Sequence, residues 1–203
     1  ARLSGLSVIP LAHDRPYFTA GELQTALDQS IGGRVSNPVG VVSVESPVRR
    51  QAGQIVPWDE MQAISRLCRE QAIPVHLDGA RLYMMSAATG KELKEYADLF
   101  DSVYVSMYKY FGSPFGAVLA GTSEFISGMF HDRRMFGGGL PSSYLFAGLA
   151  LDGMDRFELR NKEAFEKAIS LFADINNLPE IEVRRFEHGS NIFELVIHPG
   201  IDQ

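Results

Sequence analysis

Three short apolar runs separated by helical stretches restrict what this chain can fold into. Val39 to Glu45, Ile73 to Leu77 and Ser102 to Ser106 are rich in β-branched residues, the kind of run that a parallel sheet buries. Trp58 to Gln71 reads as a helix between the first two, and a helix starting near Arg81 joins the second to the third. Each neighbouring pair therefore reads as a β-α-β unit, whose crossover is right-handed and whose strands are parallel. Strands of an open parallel sheet end on one edge, where ligands of α/β proteins bind. The string Val75-His76-Leu77-Asp78-Gly79-Ala80-Arg81 puts a carboxylate and a guanidinium at one strand end. The run from Val103 to Lys109 ends the next strand on an amine. Lys109 follows Asp78 by 31 residues, about what a strand-helix-strand unit consumes, so both are expected in one crevice.

The rest of the chain continues the alternation. A strand is expected over Leu6 to Pro10, a helix over Ala20 to Gln29, and a strand over Gly116 to Ala120. The last follows Ser106 by so short a link that the pair must be antiparallel. Glu124 to Arg134 reads as helix and Pro141 to Asp174 as one long helix or two, with Leu145, Leu149, Phe157, Phe165, Ile169 and Phe172 as core or interface. A final strand is expected within His188 to His198. The fold class is α/β, a mostly parallel sheet with one antiparallel strand.

Composition excludes several functions. With 203 residues and 45% hydrophobic content the chain can bury a sizeable core in one or two domains. A net charge of −6 argues against a nucleic-acid partner, which needs clustered Lys and Arg. No apolar run approaches the roughly 18 residues of a membrane span. The histidines His13, His76, His131, His188 and His198 lack paired ligand spacing, so no metal is expected. Cys68 is the only cysteine; it is expected to be a buried, reduced thiol of a cytoplasmic protein.

Taken singly, the edge residues have plain readings: Asp78-Gly79 as a turn, Arg81 on a helix surface, a solvated lysine. Together they suggest more. Lys109 sits in Met107-Tyr108-Lys109-Tyr110-Phe111, where aromatic neighbours favour the neutral amine of Schiff-base chemistry.

His76-Leu77-Asp78-Gly79-Ala80-Arg81, Lys109 and the stretch Gly112-Ser113-Pro114-Phe115-Gly116-Ala117-Val118-Leu119-Ala120-Gly121 resemble the threonine aldolase and β-eliminating lyase family. Its members are pyridoxal phosphate (PLP) enzymes of the aspartate aminotransferase fold, fold type I. The resemblance runs from about Leu6 to about Val196 and includes Val42-Ser43-Val44-Glu45 before Gly53-Gln54-Ile55-Val56-Pro57, and the run Gly137-Gly138-Gly139. It implies a partial PLP-binding large domain over 1–150. An interdomain helix and the start of a small α+β C-terminal domain would follow over 151–203.

The resemblance also implies roles. Lys109 would form the aldimine with the cofactor aldehyde, and Asp78 would pair with the pyridine nitrogen and keep it protonated, so that the ring withdraws electrons from the substrate α-carbon. Ala80 would set its small methyl against one ring face, with Gly79 letting the backbone turn. Arg81 would clamp the substrate carboxylate, and that clamp decides which bond stands perpendicular to the ring and breaks. Glu45 would reach the same edge to orient the cofactor or act on a substrate hydroxyl, a turn role being the equal alternative. Ser46 would contact the cofactor phenolic oxygen. His76 reads as a satisfied strand residue.

The chain departs from the family pattern in places. Tyr108 stands where serine often precedes the lysine, Ser46-Pro47-Val48 replaces Asn-Thr-His, and Leu140-Pro141-Ser142 follows the triple glycine in place of Met-Arg-Gln. Arg133 or Arg134 is the substitute cation. No glycine-rich phosphate loop opens a helix before Asp78. The expectation is therefore a piece of a longer polypeptide that, as it stands, holds the cofactor poorly or not at all. Three functions stay open. The first is PLP-dependent lyase cleavage of a β-hydroxy amino acid, threonine or allo-threonine to glycine and acetaldehyde. The others are β-elimination or aminotransfer on another amino acid, and a non-catalytic piece. The expected partners are a small amino-acid substrate and copies of the same chain in a homo-oligomer, with Phe130, Met135 and Phe136 at the interface.

Overall fold

The computed structural model describes residues 4–32 and 34–198. Strands β1 (Val42–Glu45), β2 (Val75–Asp78), β3 (Ser102–Ser106) and β4 (Ala117–Gly121) form one sheet in that order. The first three are parallel and β4 runs antiparallel to β3, as the α/β reading with one antiparallel strand required. A separate antiparallel pair, β5 (Ile181–Arg185) with β6 (Phe193–Ile197), lies near the C-terminus.

Helices α1 (Ala20–Gly32), α2 (Trp58–Glu70), α3 (Leu82–Thr89) and α4 (Leu93–Ala97) accompany the parallel strands. In α2 the first turn carries Asp59 and Glu60 and the last carries Arg69, each sign matching the helix dipole. Gly90 closes α3 in the left-handed conformation, at φ 73°, and its N–H returns to the Ser86 carbonyl. The core gathers Leu23 and Leu27 of α1, Met61, Ile64 and Cys68 of α2, Leu82 and Met85 of α3, and the strand residues Val42, Val44, Val75, Leu77 and Val103. No helix among the described residues is long and apolar enough to cross a membrane.

The strands are not buried on both faces as expected from their β-branched content. They alternate: Val42, Val44, Val75, Leu77 and Val103 point into the core, while Ser43, Glu45, His76, Asp78, Ser102 and Tyr104 lie half-buried or exposed on the other face. Period-2 alternation is what a sheet packed on one side produces. The register sets Glu45 beside Asp78 and Asp78 beside Tyr104, one polar row at the carboxyl ends of three strands.

Other boundaries also differ. Leu6 to Pro10 is exposed and pairs with no strand among the described residues. The helix expected over Glu124 to Arg134 breaks at Gly128 into α5 (Ser123–Ser127) and α6 (Met129–Met135). Pro141 to Asp174 resolves into α7 (Ser143–Asp155) and α8 (Phe157–Ile175). Of the six apolar residues placed there as core or interface, Phe157 is buried, Phe165 and Phe172 pack on Phe193 of β6, and Leu145, Leu149 and Ile169 are exposed.

Candidate active site

The Asp78 carboxylate is set by its own local turn. Its Oδ1 accepts the Ala80 N–H at 3.2 Å, and the Asp78 carbonyl accepts the Ser46 N–H at 3.2 Å, which prolongs the β1 to β2 pairing by one rung. Gly79 follows at a point where a side chain would be crowded. Its φ is not positive, and a β-carbon there would stand 3.2 Å from the Tyr104 carbonyl and 3.3 Å from both Leu77 and Leu82. Space, and not the backbone freedom expected of it, explains this glycine. The Leu82 N–H bonds the Gly79 carbonyl at 2.8 Å, and α3 opens with Arg81 at its cap, half-buried beside the strand end.

Lys109 is not the last residue of β3. The strand stops at Ser106 and the lysine sits in a turn over residues 108–110. That turn rests on an aromatic cluster in which Tyr83, Phe111 and Phe157 meet edge to face at 4.8 to 5.6 Å. Edge-to-face contact is the preferred geometry for such rings. Ser113 ties the same loop to α7 by donating to the Phe115 carbonyl at 2.6 Å and the Phe146 carbonyl at 3.1 Å. Gly153 of α7 lets the helix backbone press directly on Phe111, since a β-carbon there would come within 1.9 Å of the Phe111 carbonyl oxygen. The Lys109 Nζ donates to the Tyr108 hydroxyl at 3.1 Å and lies 4.5 Å from the centre of that ring.

Three tyrosines that the sequence did not single out as site residues surround this edge. Burial pushes the Tyr104 phenol up, with the Tyr108 and Asp78 charges acting the same way. Burial also raises Tyr110, while the Arg81 guanidinium pulls it back. Tyr108 moves down instead, chiefly through its bond from Lys109, and Arg81 adds to the effect. Arg81 therefore lies within electrostatic reach of both Tyr108 and Tyr110. The five ion pairs among the described residues all lie elsewhere.

Ser106 is the other residue not singled out. It is fully buried at the end of β3, on the strand face that carries Tyr104. Its Oγ is the one buried side-chain polar atom without a hydrogen-bond partner among the described residues. The Tyr104 and Tyr108 phenols lie close enough to feel it, yet neither meets it with hydrogen-bond geometry. Period-2 spacing with Ser102 and Tyr104 was the signal available in the sequence.

The remaining expected residues are placed differently. Glu45 is exposed at the end of β1 and its Oε1 accepts the Arg49 N–H at 2.9 Å, closing the 3₁₀ turn Arg49–Gln51. Ser46 is fully buried; its hydroxyl accepts the Val56 N–H at 3.1 Å and donates to the Met85 sulfur at 3.1 Å. His76 Nδ1 bonds the Ser102 hydroxyl at 2.8 Å across the strands. A cleft of about 710 Å³ runs between the Gly5 to Phe18 segment and β1 and takes in only Glu45 of the expected site residues. The edge holding Asp78, Arg81 and Lys109 is open.

An open, mostly parallel sheet with one antiparallel strand is the architecture of fold type I PLP-dependent proteins. The chain belongs to the β-eliminating lyase family, which it matches over residues 1–197. It is 40% identical over 118 residues to a low-specificity L-threonine aldolase of Candida albicans, a match that covers 58% of this chain and 31% of that protein. A putative L-allo-threonine aldolase from Listeria monocytogenes superposes with a TM-score of 0.72 at 32% identity, over 86% of this chain and 46% of the other. A putative aromatic amino acid β-eliminating lyase/threonine aldolase from Exiguobacterium sp. 255-15 gives 0.66 at 36% identity, over 75% and 43%. The chain thus spans less than half the length of each.

Proposed function

We propose that this chain belongs to a PLP-dependent lyase that cleaves a β-hydroxy amino acid, threonine or allo-threonine giving glycine and acetaldehyde. The observation that carries the reading is Asp78 at the end of β2 with Arg81 at the cap of α3, and the Arg81 and Lys109 charges both acting on Tyr108. Asp78 would face the pyridine nitrogen, Lys109 the aldehyde, and Ala80 one ring face. The residues fit the group: among the described residues the Ser106 hydroxyl is a buried donor with no protein partner, and Asp78 has a backbone bond on one oxygen only. When bound, PLP supplies an electron sink conjugated with the substrate α-carbon.

The chain's own residues supply the rest. The Asp78 carboxylate holds a proton on the ring nitrogen by its charge. Arg81 receives the substrate carboxylate in a planar fork and so fixes which α-carbon bond is presented for cleavage. Lys109 offers the amine and takes up or returns a proton at Nζ. Glu45, in the same row as Asp78, would meet the substrate hydroxyl.

β-Elimination remains the second reading, favoured by the likeness to the Exiguobacterium protein, because Asp78, Arg81 and Lys109 serve the cofactor and carboxylate more than the bond that breaks. The test is an absorbance spectrum of the purified protein with PLP, beside Lys109→Ala. A visible band in the parent alone supports the reading; threonine, allo-threonine and other β-substituted amino acids then distinguish aldol cleavage from elimination by their products. No band in either protein rejects the site and favours a non-catalytic piece.

A further inference from the structure

The stretch Gly53 to Pro57 belongs to the family resemblance, yet nothing in the reading above uses it. It closes the loop that follows Glu45 at the end of β1. Within that loop the Val48 N–H bonds the Gln54 carbonyl at 2.8 Å, the Gly53 N–H bonds the Val48 carbonyl at 3.0 Å, and the Arg49 N–H bonds Glu45 Oε1 at 2.9 Å. Two consecutive residues of the loop are left-handed, Ala52 at φ 53° and Gly53 at φ 67°. The first carries a side chain, and such a residue keeps this conformation only where its surroundings hold it there.

The holder lies 137 positions along the chain. Ser190 is 2% exposed, and its hydroxyl donates to the Gly53 carbonyl at 2.6 Å, with Asn191 Oδ1 the longer alternative at 3.4 Å. Beside it, the Ile55 N–H bonds the His188 carbonyl at 2.7 Å. The fit is close: a β-carbon on Gly53 would stand 2.7 Å from Ser190 Oγ and 3.0 Å from Ile192 Cδ1. Water would satisfy this carbonyl in a free loop; a buried serine also fixes where it points.

We propose that Ser190 is a positioning residue for the Glu45 carboxylate. By holding Gly53, Ser190 holds the loop that presents the Arg49 N–H, and that N–H takes one carboxylate oxygen and leaves the other for the substrate hydroxyl. The substrate role of Glu45 rests on the PLP reading; the hold itself does not. The segment from His188 to Ser190 leads into β6, so the C-terminal strand pair sets the geometry at the carboxyl end of β1. Glu45 lies beside Asp78 in the sheet register, and a displacement of about 1 Å at such a place costs a factor of about 10² in rate.

Amide hydrogen exchange followed by NMR tests the hold without cofactor. In Ser190→Ala the Arg49, Gly53 and Ile55 N–H groups should exchange at least about 10-fold faster than in the parent, while the amides of β2 keep their rates and show that the sheet is intact. Gly53→Ala, which crowds Ser190 from the other side, should do the same. An Arg49 N–H unmoved in both variants overturns the proposal. With PLP, Ser190→Ala should keep the visible band, since Asp78 and Lys109 are untouched, and should cleave threonine or allo-threonine with kcat about 10²-fold lower. Glu45→Gln retains an oxygen for the Arg49 N–H and removes the charge; in that background Ser190→Ala should lower kcat no further. Additive losses overturn the proposal, and so does a parental kcat in Ser190→Ala. A parent that gives no band removes the PLP reading and with it the substrate role of Glu45, and the Arg49 exchange rate then decides alone whether Ser190 positions the carboxylate.

Discussion

Asp78 has one oxygen engaged by the Ala80 N–H, and the register keeps it in line with Glu45 and Tyr104. Its geometry and its charge can therefore be separated by substitution. Asn at this position retains an oxygen for the Ala80 N–H and abolishes the negative charge. If the charge keeps a bound ring protonated, Asp78→Asn should lower kcat by about 10²- to 10³-fold, the size expected for losing a preorganised electrostatic partner. The urea midpoint should stay near the parental value. A rate loss accompanied by an equal loss of folding stability would instead assign Asp78 to the strand end alone. Cys68 is a second residue whose state the fold controls. Burial, aided by the Asp101 charge, pushes its thiol up to about 11 from an ordinary value near 9. Between those values the unfolded chain gives up the thiol proton while the folded one keeps it, so stability contributed below about pH 9 is lost as pH rises toward 11. Urea melts of Cys68→Ala across this window should show a shallower decline than the parent.

At the scale of elements, the lysine turn depends on a helix far along the chain. The Gly153 contact leaves α7 against the Phe111 carbonyl with no space for a methyl group. Gly153→Ala must push α7 off that loop and should destabilise the protein by about 1–3 kcal/mol, the range for overpacking a tight contact, despite alanine's better helix propensity. Urea denaturation measures it, and an unchanged or raised midpoint would show that the loop does not rest on α7. Much of this architecture was legible. The three parallel strands and the antiparallel β4 follow from apolar runs and one short link. Lys109 was drawn into the strand because Met107, Tyr110 and Phe111 prolong the apolar run, though these residues pack beside Phe157 and Ala150 and not in the sheet. Leu6 to Pro10 has strand-like composition but no paired neighbour, and a strand is made by its partner. β5 was missed because three of its five residues, Glu182, Arg184 and Arg185, are charged. Asp78, Arg81 and Lys109 stood out at the strand ends, but the roles proposed for them came from family resemblance, since spacing alone fits many α/β proteins. The inward turn of Ser46 and the orphaned hydroxyl of Ser106 depend on contacts with distant segments, which local sequence does not encode.

The whole molecule carries a net charge of −6, yet α6 and the start of α7 each expose large apolar side chains. Phe130 is 54% exposed, Met135 73% and Phe136 75%, with Tyr144, Leu145 and Leu149 also open. The guanidinium groups of Arg133 and Arg134 lie 6.0 and 5.5 Å from the Phe130 ring, which leaves them covering one aromatic face. Exposed large side chains clustered in this way mark interaction surfaces more often than isolated ones do. Closed assemblies of identical chains are the commonest use of such a surface. A homo-oligomer joined through α6 and α7 should therefore appear by light scattering at micromolar concentration. The double substitution Met135→Asp with Phe136→Asp should shift it toward monomer, because both side chains are solvent-exposed within one chain and the change removes apolar area while adding like charges across an interface between copies. Their exposure also means that the fold itself should tolerate the change, which circular dichroism would check. A parent that is monomeric over the whole concentration range rejects the interface. If dissociation of the variant also weakens PLP uptake, the open edge at Lys109 is completed by a neighbouring copy; unchanged uptake by the monomer means that one polypeptide encloses its own site.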